Sequence, residues 1–124
     1  MRAGRKATAQ LVVAECHTAK TVGSGELQVL ATPMMIALME RAACDCLELA
    51  EGQTSVGVGV CVEHIAASPL GAEITATAVV ERVDGRKIEF AVSAIDSTGE
   101  IGRGKHTRFI VDAEKFMGRT NKKQ

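Results

Sequence analysis

The chain has 124 residues with 15 basic and 15 acidic side chains, so its formal net charge is zero, and 46% of its residues are hydrophobic. This length fits one domain that buries roughly two thirds of the surface its unfolded form exposes. Nucleic-acid affinity depends largely on clustered Lys and Arg, and single-strand binding depends on aromatic stacking, so neutrality and the absence of Trp and Tyr argue against DNA or RNA as the main partner.

The N-terminal segment is basic, but the apolar stretch that follows it, residues 11–14, is too short for a signal peptide or a membrane span. We therefore predict a cytoplasmic protein with no membrane partner. Its cysteines contain no CxxC pair, and two of them lie two residues apart on a predicted helix, about 200° apart around its axis. We expect no metal site and four reduced cysteines, Cys16, Cys44, Cys46 and Cys61.

The first half of the chain predicts a strand over residues 8–17, a loop over 22–25 and a long helix over 33–51. Thr32 is placed to cap this helix, and Pro33 suits its first position, where a missing N–H costs nothing. Gly52 is the expected C-terminal stop. One apolar stripe runs along the helix at spacings of three, four and seven, formed by Met35, Leu38, Met39, Ala42, Cys46 and Leu49.

After Gly52 the hydrophobic period changes from helical to two, which is typical of strands. In the first strand, valines alternate with small residues and predict a core-facing row that His64 extends, made of Val56, Val58, Val60 and Val62. Further strands are expected over residues 73–83, 88–94 and 101–111, with a two-residue hairpin at Asp84-Gly85. Residues 1–112 would form the single domain, and residues 113–124 a polar, basic, frayed tail.

These elements predict an α+β fold in which one long helix packs on a curved antiparallel sheet of about five strands, because short connections join antiparallel neighbours. One helix cannot cover both faces and the edges of such a sheet. The Gly-rich valine strand also offers little side-chain bulk on its outer face. A homodimer or a dimer of dimers is therefore expected.

Two segments carry a resemblance to a known family: Val29-Leu-Ala-Thr-Pro-Met-Met-Ile-Ala-Leu-Met-Glu40 and Glu63-His-Ile-Ala-Ala-Ser-Pro-Leu-Gly71. The chain resembles the hotdog-fold thioesterases, and among them the fluoroacetyl-CoA thioesterase type. In that type a Thr at the helix start, a Glu further along it and a His before an Ala-x-x-Pro-x-Gly turn form the catalytic set. The resemblance thus implies Thr32, Glu40 and His64 as catalytic residues of an acyl-CoA thioesterase, with coenzyme A as part of the substrate and no cofactor.

Thioester hydrolysis needs an activated nucleophile, a group that moves protons and donors for the developing oxyanion. Each implied residue also has a structural interpretation: Thr32 as a helix cap, Glu40 as an ordinary residue at the edge of the stripe, and His64 as a satisfied core histidine. A glutamate on the covering helix would give His64 a partner. However, Thr32 and Glu40 are eight residues apart, about 12 Å of helical rise, so we expect an active site shared across a dimer interface.

The remaining candidates are weaker. Met35 and Met39 suggest a pliable acyl lining, and His106 and Gly59 are secondary substrate-binding candidates. Arg86 and Arg108 belong to a basic group that would meet the phosphates of coenzyme A or form a solvated edge. The group consists of Arg82, Arg86, Lys87, Arg103, Lys105 and Arg108. No aromatic residue precedes Phe90, whereas fluoroacetate-specific enzymes have an aromatic lid, so a small or medium acyl group is expected.

Two other functions remain open on the same fold. An enoyl hydratase would need an Asp-x-x-x-x-His pattern, which is absent. A non-catalytic protein that binds acyl-CoA or a carrier-linked acyl chain is the alternative from another class, since a fold does not fix a function.

Overall fold

A computed structural model describes all residues, 1–124, and has five strands in one antiparallel sheet of order β1-β3-β4-β5-β2. The longest helix packs on one face of the sheet, chiefly against β1, β3 and β4. The predicted α+β architecture is confirmed. The helices and strands in chain order are β1 (Lys6–Val12), a 3₁₀ turn (Glu15–His17), α1 (Ala19–Val22), α2 (Thr32–Cys46), β2 (Gln53–His64), β3 (Glu73–Asp84), β4 (Lys87–Asp96), β5 (Gly99–Asp112) and α3 (Ala113–Asn121).

Helix α2 buries the predicted apolar stripe but is shorter than expected. It ends at Cys46 rather than Glu51, because Leu47 leaves the helix in extended backbone. Leu49 is exposed, so another turn would bury no further apolar surface. The start also differs: Ala31 is the N-cap residue, and Thr32 lies inside the helix without capping it. The hydroxyl of Thr32 is therefore available for another contact.

Strands β3 and β4 form the centre of the core. The inward alternation predicted for β4 is confirmed by four buried side chains, Ile88, Phe90, Val92 and Ala94. The hairpin between these strands turns one residue later than predicted. Asp84 pairs with Lys87, and Gly85, with φ 62°, supplies the left-handed conformation that the turn requires.

Strand β2 lies at an edge of the sheet and contains a β-bulge that the alternating valines did not predict. Gly57 lies opposite Arg108 and Gly59 opposite Thr107, so Val58 is the extra residue. The bulge reverses the alternation, and the valines before and after it do not form one continuous row on a single face. Val58 and Val60 are 57% and 47% exposed, because α2 covers little of this strand. The expected core-facing valine row is thus wrong at its centre.

The two ends of the chain depart from the sequence-based expectations. The first strand stops at Val12, and the 3₁₀ turn and α1 occupy the segment where the strand was expected to continue and a loop to begin. The expected frayed tail is instead α3, whose N-terminus is capped by the Asp112 carboxylate accepting from the Lys115 N–H. No helix in the structure combines the length and the apolar character needed to cross a membrane.

Candidate active site

The structure brings Thr32 and His64 together, although they lie in different elements. Thr32 begins α2 and His64 ends β2, and their Oγ1 and Nδ1 atoms are 2.7 Å apart. Because Thr32 does not cap its helix, its hydroxyl is used in this bond alone. The pair has the geometry of a hydroxyl nucleophile and its base.

His64 is half-buried, and its second ring nitrogen, Nε2, is buried without a hydrogen-bond partner. Burial lowers the pKa of His64 below its usual value, an effect that the backbone at Ala66 partly opposes. The imidazole is therefore neutral at pH 7, and a neutral imidazole can accept a proton. A buried polar nitrogen without a hydrogen-bond partner costs free energy, which favours a function in which Nε2 gains a partner.

A pocket of about 260 Å³ opens beside this pair. Its lining includes no aromatic residue and is completed by Ala19, Ser24, Val29, Leu30, Ile65, Ala66 and Ala67. Sequence reasoning missed this lining, because the residues come from α1, the loop before α2 and the loop after β2, which only the folded chain brings together.

Glu40 does not join the Thr32–His64 pair within the chain. Its Oε2 accepts a hydrogen bond from Arg108 Nη1 at 3.2 Å and lies 3.9 Å from His106 Nε2. The expectation that Glu40 would be the partner of His64 is therefore wrong within one protomer. The Glu40 side chain is 40% exposed and borders a second opening of about 270 Å³ formed with the Gly57–Val60 segment of β2.

Arg108 and His106 form the buried half of this second cluster. Arg108 Nε donates to Ser55 Oγ at 2.9 Å and Nη2 donates to the Ser55 carbonyl at 3.2 Å. His106 Nδ1 lies 2.8 Å from the Gly59 carbonyl, which can only accept, so Nδ1 carries the proton and Nε2 accepts from Arg108 Nη1 at 3.2 Å. The His106 ring stacks on buried Phe90 with centroids 6.0 Å apart.

The environment also sets the charge of His106. Burial lowers its pKa, the Gly59 bond opposes this, the Arg108 guanidinium lowers it further and the Glu40 carboxylate raises it. The net direction is downward, so His106 is neutral at pH 7 and Arg108 is the only cation of the cluster.

The other candidate residues are dispersed. Met35 and Met39 are buried in the core and line neither opening. Gly59 lines the opening beside Glu40. Most of the predicted basic group is paired with carboxylates, namely Arg82, Arg103, Lys105 and Arg108, whereas Arg86 is exposed and donates only to the Ile110 carbonyl.

Sequence reasoning also missed Ser55 and Gly57, which complete the second cluster. A Cβ at Gly57 would lie 2.7 Å from Glu40 Oε2, so the carboxylate occupies space that only a glycine leaves open. The antiparallel pairing of β2 with β5 would have placed this segment beside Arg108, but the bulge made the register unreadable from alternation alone.

Known proteins similar in sequence to this chain match most of its length. A model of the family described as fluoroacetyl-CoA-specific thioesterase matches residues 13–114. A fluoroacetyl-CoA thioesterase from Streptantibioticus cattleyicolor is 42% identical over 100 residues, which cover 77% of this chain and 70% of that protein.

Solved structures match over almost the whole chain. A threonine-to-serine variant of the fluoroacetyl-CoA thioesterase FlK, in complex with acetyl-CoA, superposes with a TM-score of 0.95 at 34% identity and covers 100% of this chain and 99% of that chain. A hot-dog-like protein from Thermanaerovibrio acidaminovorans gives 0.89 at 25% identity and covers 99% and 93%.

Proposed function

Because this chain belongs to the fluoroacetyl-CoA-specific thioesterase family and is a thioester hydrolase of hotdog fold, we propose that it hydrolyses acyl-CoA thioesters of small or medium acyl groups with Thr32, His64 and Glu40. The reaction consumes water and releases a carboxylic acid and the free thiol of coenzyme A. The observation that carries the residue assignment is the 2.7 Å contact between Thr32 Oγ1 and His64 Nδ1 beside a pocket.

In the proposed first step, neutral His64 with its proton on Nε2 accepts the Thr32 hydroxyl proton at Nδ1. The Thr32 oxygen then bonds to the thioester carbonyl carbon, and the carbon–sulfur bond breaks. The departing thiolate takes the proton from His64. The backbone N–H of Thr32 makes no hydrogen bond and lies at the positive end of α2, where it is available to the developing oxyanion.

In the proposed second step, Glu40 removes a proton from a water molecule whose oxygen bonds to the acyl carbon. The bond from that carbon to Thr32 Oγ1 then breaks and the same proton passes to the Thr32 oxygen, which releases the carboxylic acid and restores the Thr32 hydroxyl and the Glu40 carboxylate. Within one chain Glu40 lies about 12 Å along α2 from Thr32, so we propose that Glu40 of the partner subunit completes the site. The open edge of β2 and its exposed valines support a homodimer. Antiparallel pairing of two β2 strands about a twofold axis near Val60 would set the His64 end of one strand beside the Gly57 end of the other.

The pocket supports a short acyl group, because its volume of about 260 Å³ lies below that of sites for drug-sized ligands. Without an aromatic lining we propose activity on small or medium acyl groups rather than strict specificity for fluoroacetyl-CoA. Arg86 and the adjacent Lys87 are the candidates for the coenzyme A phosphates, since both are exposed and neither has a carboxylate partner. A cytoplasmic location remains a prediction.

The test of this function is thiol release from a panel of acyl-CoAs, including acetyl-, fluoroacetyl- and longer acyl-CoA. We expect turnover by the wild type, and a loss of about 10²- to 10⁴-fold in kcat for Glu40→Gln and His64→Ala. Equal rates in all three proteins would refute the catalytic assignment. Binding without turnover by the wild type would identify a non-catalytic acyl-CoA binder.

A second experiment tests the shared site. Thr32→Ala and Glu40→Ala chains, each inactive alone, are unfolded together and refolded as a mixture. If one site draws on both subunits, half of the sites in each mixed dimer are intact, and an equal mixture recovers about a quarter of the wild-type activity. No recovery, in a mixture shown by mass spectrometry to contain mixed dimers, would refute the shared site.

A further inference from the structure

We propose that Arg108 is a positioning residue that acts through Glu40 and that Ser55 and His106 hold it in place. This inference rests on the proposed function, because it assumes that the Glu40 carboxylate takes part in the reaction. It assigns Arg108 a role other than contact with the coenzyme A phosphates.

The first argument is that the Arg108 guanidinium is buried and that protein acceptors already occupy its donors. Arg108 is 7% exposed, and each of its three nitrogens donates to a protein acceptor: Nε to Ser55 Oγ, Nη2 to the Ser55 carbonyl, and Nη1 to Glu40 and to His106 Nε2. A phosphate contact needs exposed donors, whereas this fork is fixed from three sides. An arginine held in this way can orient a single carboxylate oxygen.

The second argument is that the two carboxylate oxygens of Glu40 differ in their hydrogen bonds. Oε2 accepts from Arg108, whereas Oε1 makes no hydrogen bond with protein, and Glu40 lines the opening between α2 and β2. Arg108 thus fixes the rotation of the carboxylate and leaves one oxygen free for a water molecule. Groups that position a catalytic side chain affect turnover more than substrate binding.

His106 contributes by its tautomer. The Gly59 carbonyl holds the proton on Nδ1, so Nε2 faces Arg108 as an acceptor and faces Glu40 without a proton to donate. A protonated His106 would compete with Arg108 for Glu40 and repel the guanidinium. Stacking on Phe90 and burial keep the ring neutral and in this orientation.

A double-mutant cycle on the full-length protein tests the inference, with kcat and KM measured for Arg108→Gln, Glu40→Gln and the double variant. We expect Arg108→Gln to lower kcat about 10- to 100-fold at nearly constant KM, and to cause no further loss in the Glu40→Gln background. The matched control is Arg119→Gln on α3, which removes an exposed arginine and keeps wild-type kcat.

The outcomes separate the inference from the function beneath it. Suppose that Glu40→Gln is inactive. Arg108 then does not act through Glu40 if Arg108→Gln keeps full kcat or raises only KM, or if it lowers kcat further in the Glu40→Gln background. If Glu40→Gln is fully active, the proposed use of Glu40 fails and this inference fails with it.

Because removal of a buried arginine can prevent folding, Ser55→Ala provides a second variant that keeps the charge and loses only the acceptor of Nε. We expect a fall in kcat of about tenfold or less, with KM unchanged, and no effect in the Glu40→Gln background. A Ser55→Ala protein with wild-type kcat, or with an equal loss in both backgrounds, would overturn the inference.

Discussion

Two of the three histidines lie in similar surroundings but differ in their hydrogen bonds. His64 and His106 both lie on the sheet face that α2 packs against, and burial lowers the pKa of each. His106 has a partner at both ring nitrogens, whereas His64 bonds Thr32 at one nitrogen and leaves the other without a partner.

The difference shows that burial does not distinguish a structural histidine from a catalytic one. A ring with both nitrogens satisfied is fixed in one tautomer and has no free position for proton transfer. The His64 ring bonds only the exposed hydroxyl of Thr32, so its Nδ1 can take the hydroxyl proton without breaking a bond to the backbone. We therefore propose that His64 transfers protons and that His106 has a structural role.

Replacing each histidine by alanine gives the largest expected contrast. His64→Ala should lower kcat about 10²- to 10⁴-fold with little change in Tm, because it removes a base and an unsatisfied nitrogen together. His106→Ala should lower the free energy of unfolding by about 1–3 kcal/mol, because the Gly59 carbonyl and an Arg108 donor lose their partner. Steady-state kinetics and thermal unfolding on the same samples measure both.

The control for this pair is His17→Ala, which removes the third histidine, outside both clusters. Its Nδ1 accepts only from the Ala14 N–H at the surface, so both kcat and Tm should change little. The contrast fails if His64→Ala is mainly a stability variant or if His106→Ala is as inactive as His64→Ala.

The two clusters were not equally predictable from the sequence. Thr32-Pro33 and the apolar stripe predicted the start of α2, and the alternation after Gly52 predicted β2, so the segments that carry Thr32 and His64 could be located. The packing of Gly57 against Glu40 could not be predicted, because Gly57 lies just before the extra residue Val58 in β2. A bulge changes the facing of every residue before it without changing the alternation of residue types.

The prediction for the C-terminal segment was wrong for a different reason. Its polar composition predicted fraying, but Asp112 caps α3 and Phe116 on the helix is half-buried. A cap and one half-buried apolar side chain can order a short helix against the end of a sheet, and composition averages do not register either.

A substitution with a smaller expected effect tests the close contact between Gly57 and Glu40 in the second cluster. Gly57→Ala would place a Cβ 2.7 Å from Glu40 Oε2 and 3.2 Å from Arg108 Nη1, so the carboxylate must move. Because the end of the glutamate is flexible, we expect a loss of about tenfold in kcat and no loss of Tm, since alanine restricts the unfolded chain more than glycine.

Gly118→Ala is the matched glycine control for this prediction. It lies in α3 with open space around the new Cβ, so Tm should rise slightly through helix propensity and kcat should not change. A Gly57→Ala enzyme with wild-type kcat would mean that the position of the Glu40 carboxylate does not matter for turnover.

The smallest expected effect is a shift in the pH profile of kcat/KM. His64 must be neutral to accept the Thr32 proton, and burial lowers its pKa from the ordinary 6.5. Activity should therefore fall only below pH 6.5, and the acid midpoint should move with temperature as an imidazole does, unlike a carboxylate. The linked stability has the same sign: the unfolded state binds more protons between the lowered pKa and 6.5, so the free energy of unfolding rises with pH through that window. A midpoint at or above 6.5, or one independent of temperature, would remove His64 from the role of base and erase the distinction between the two histidines.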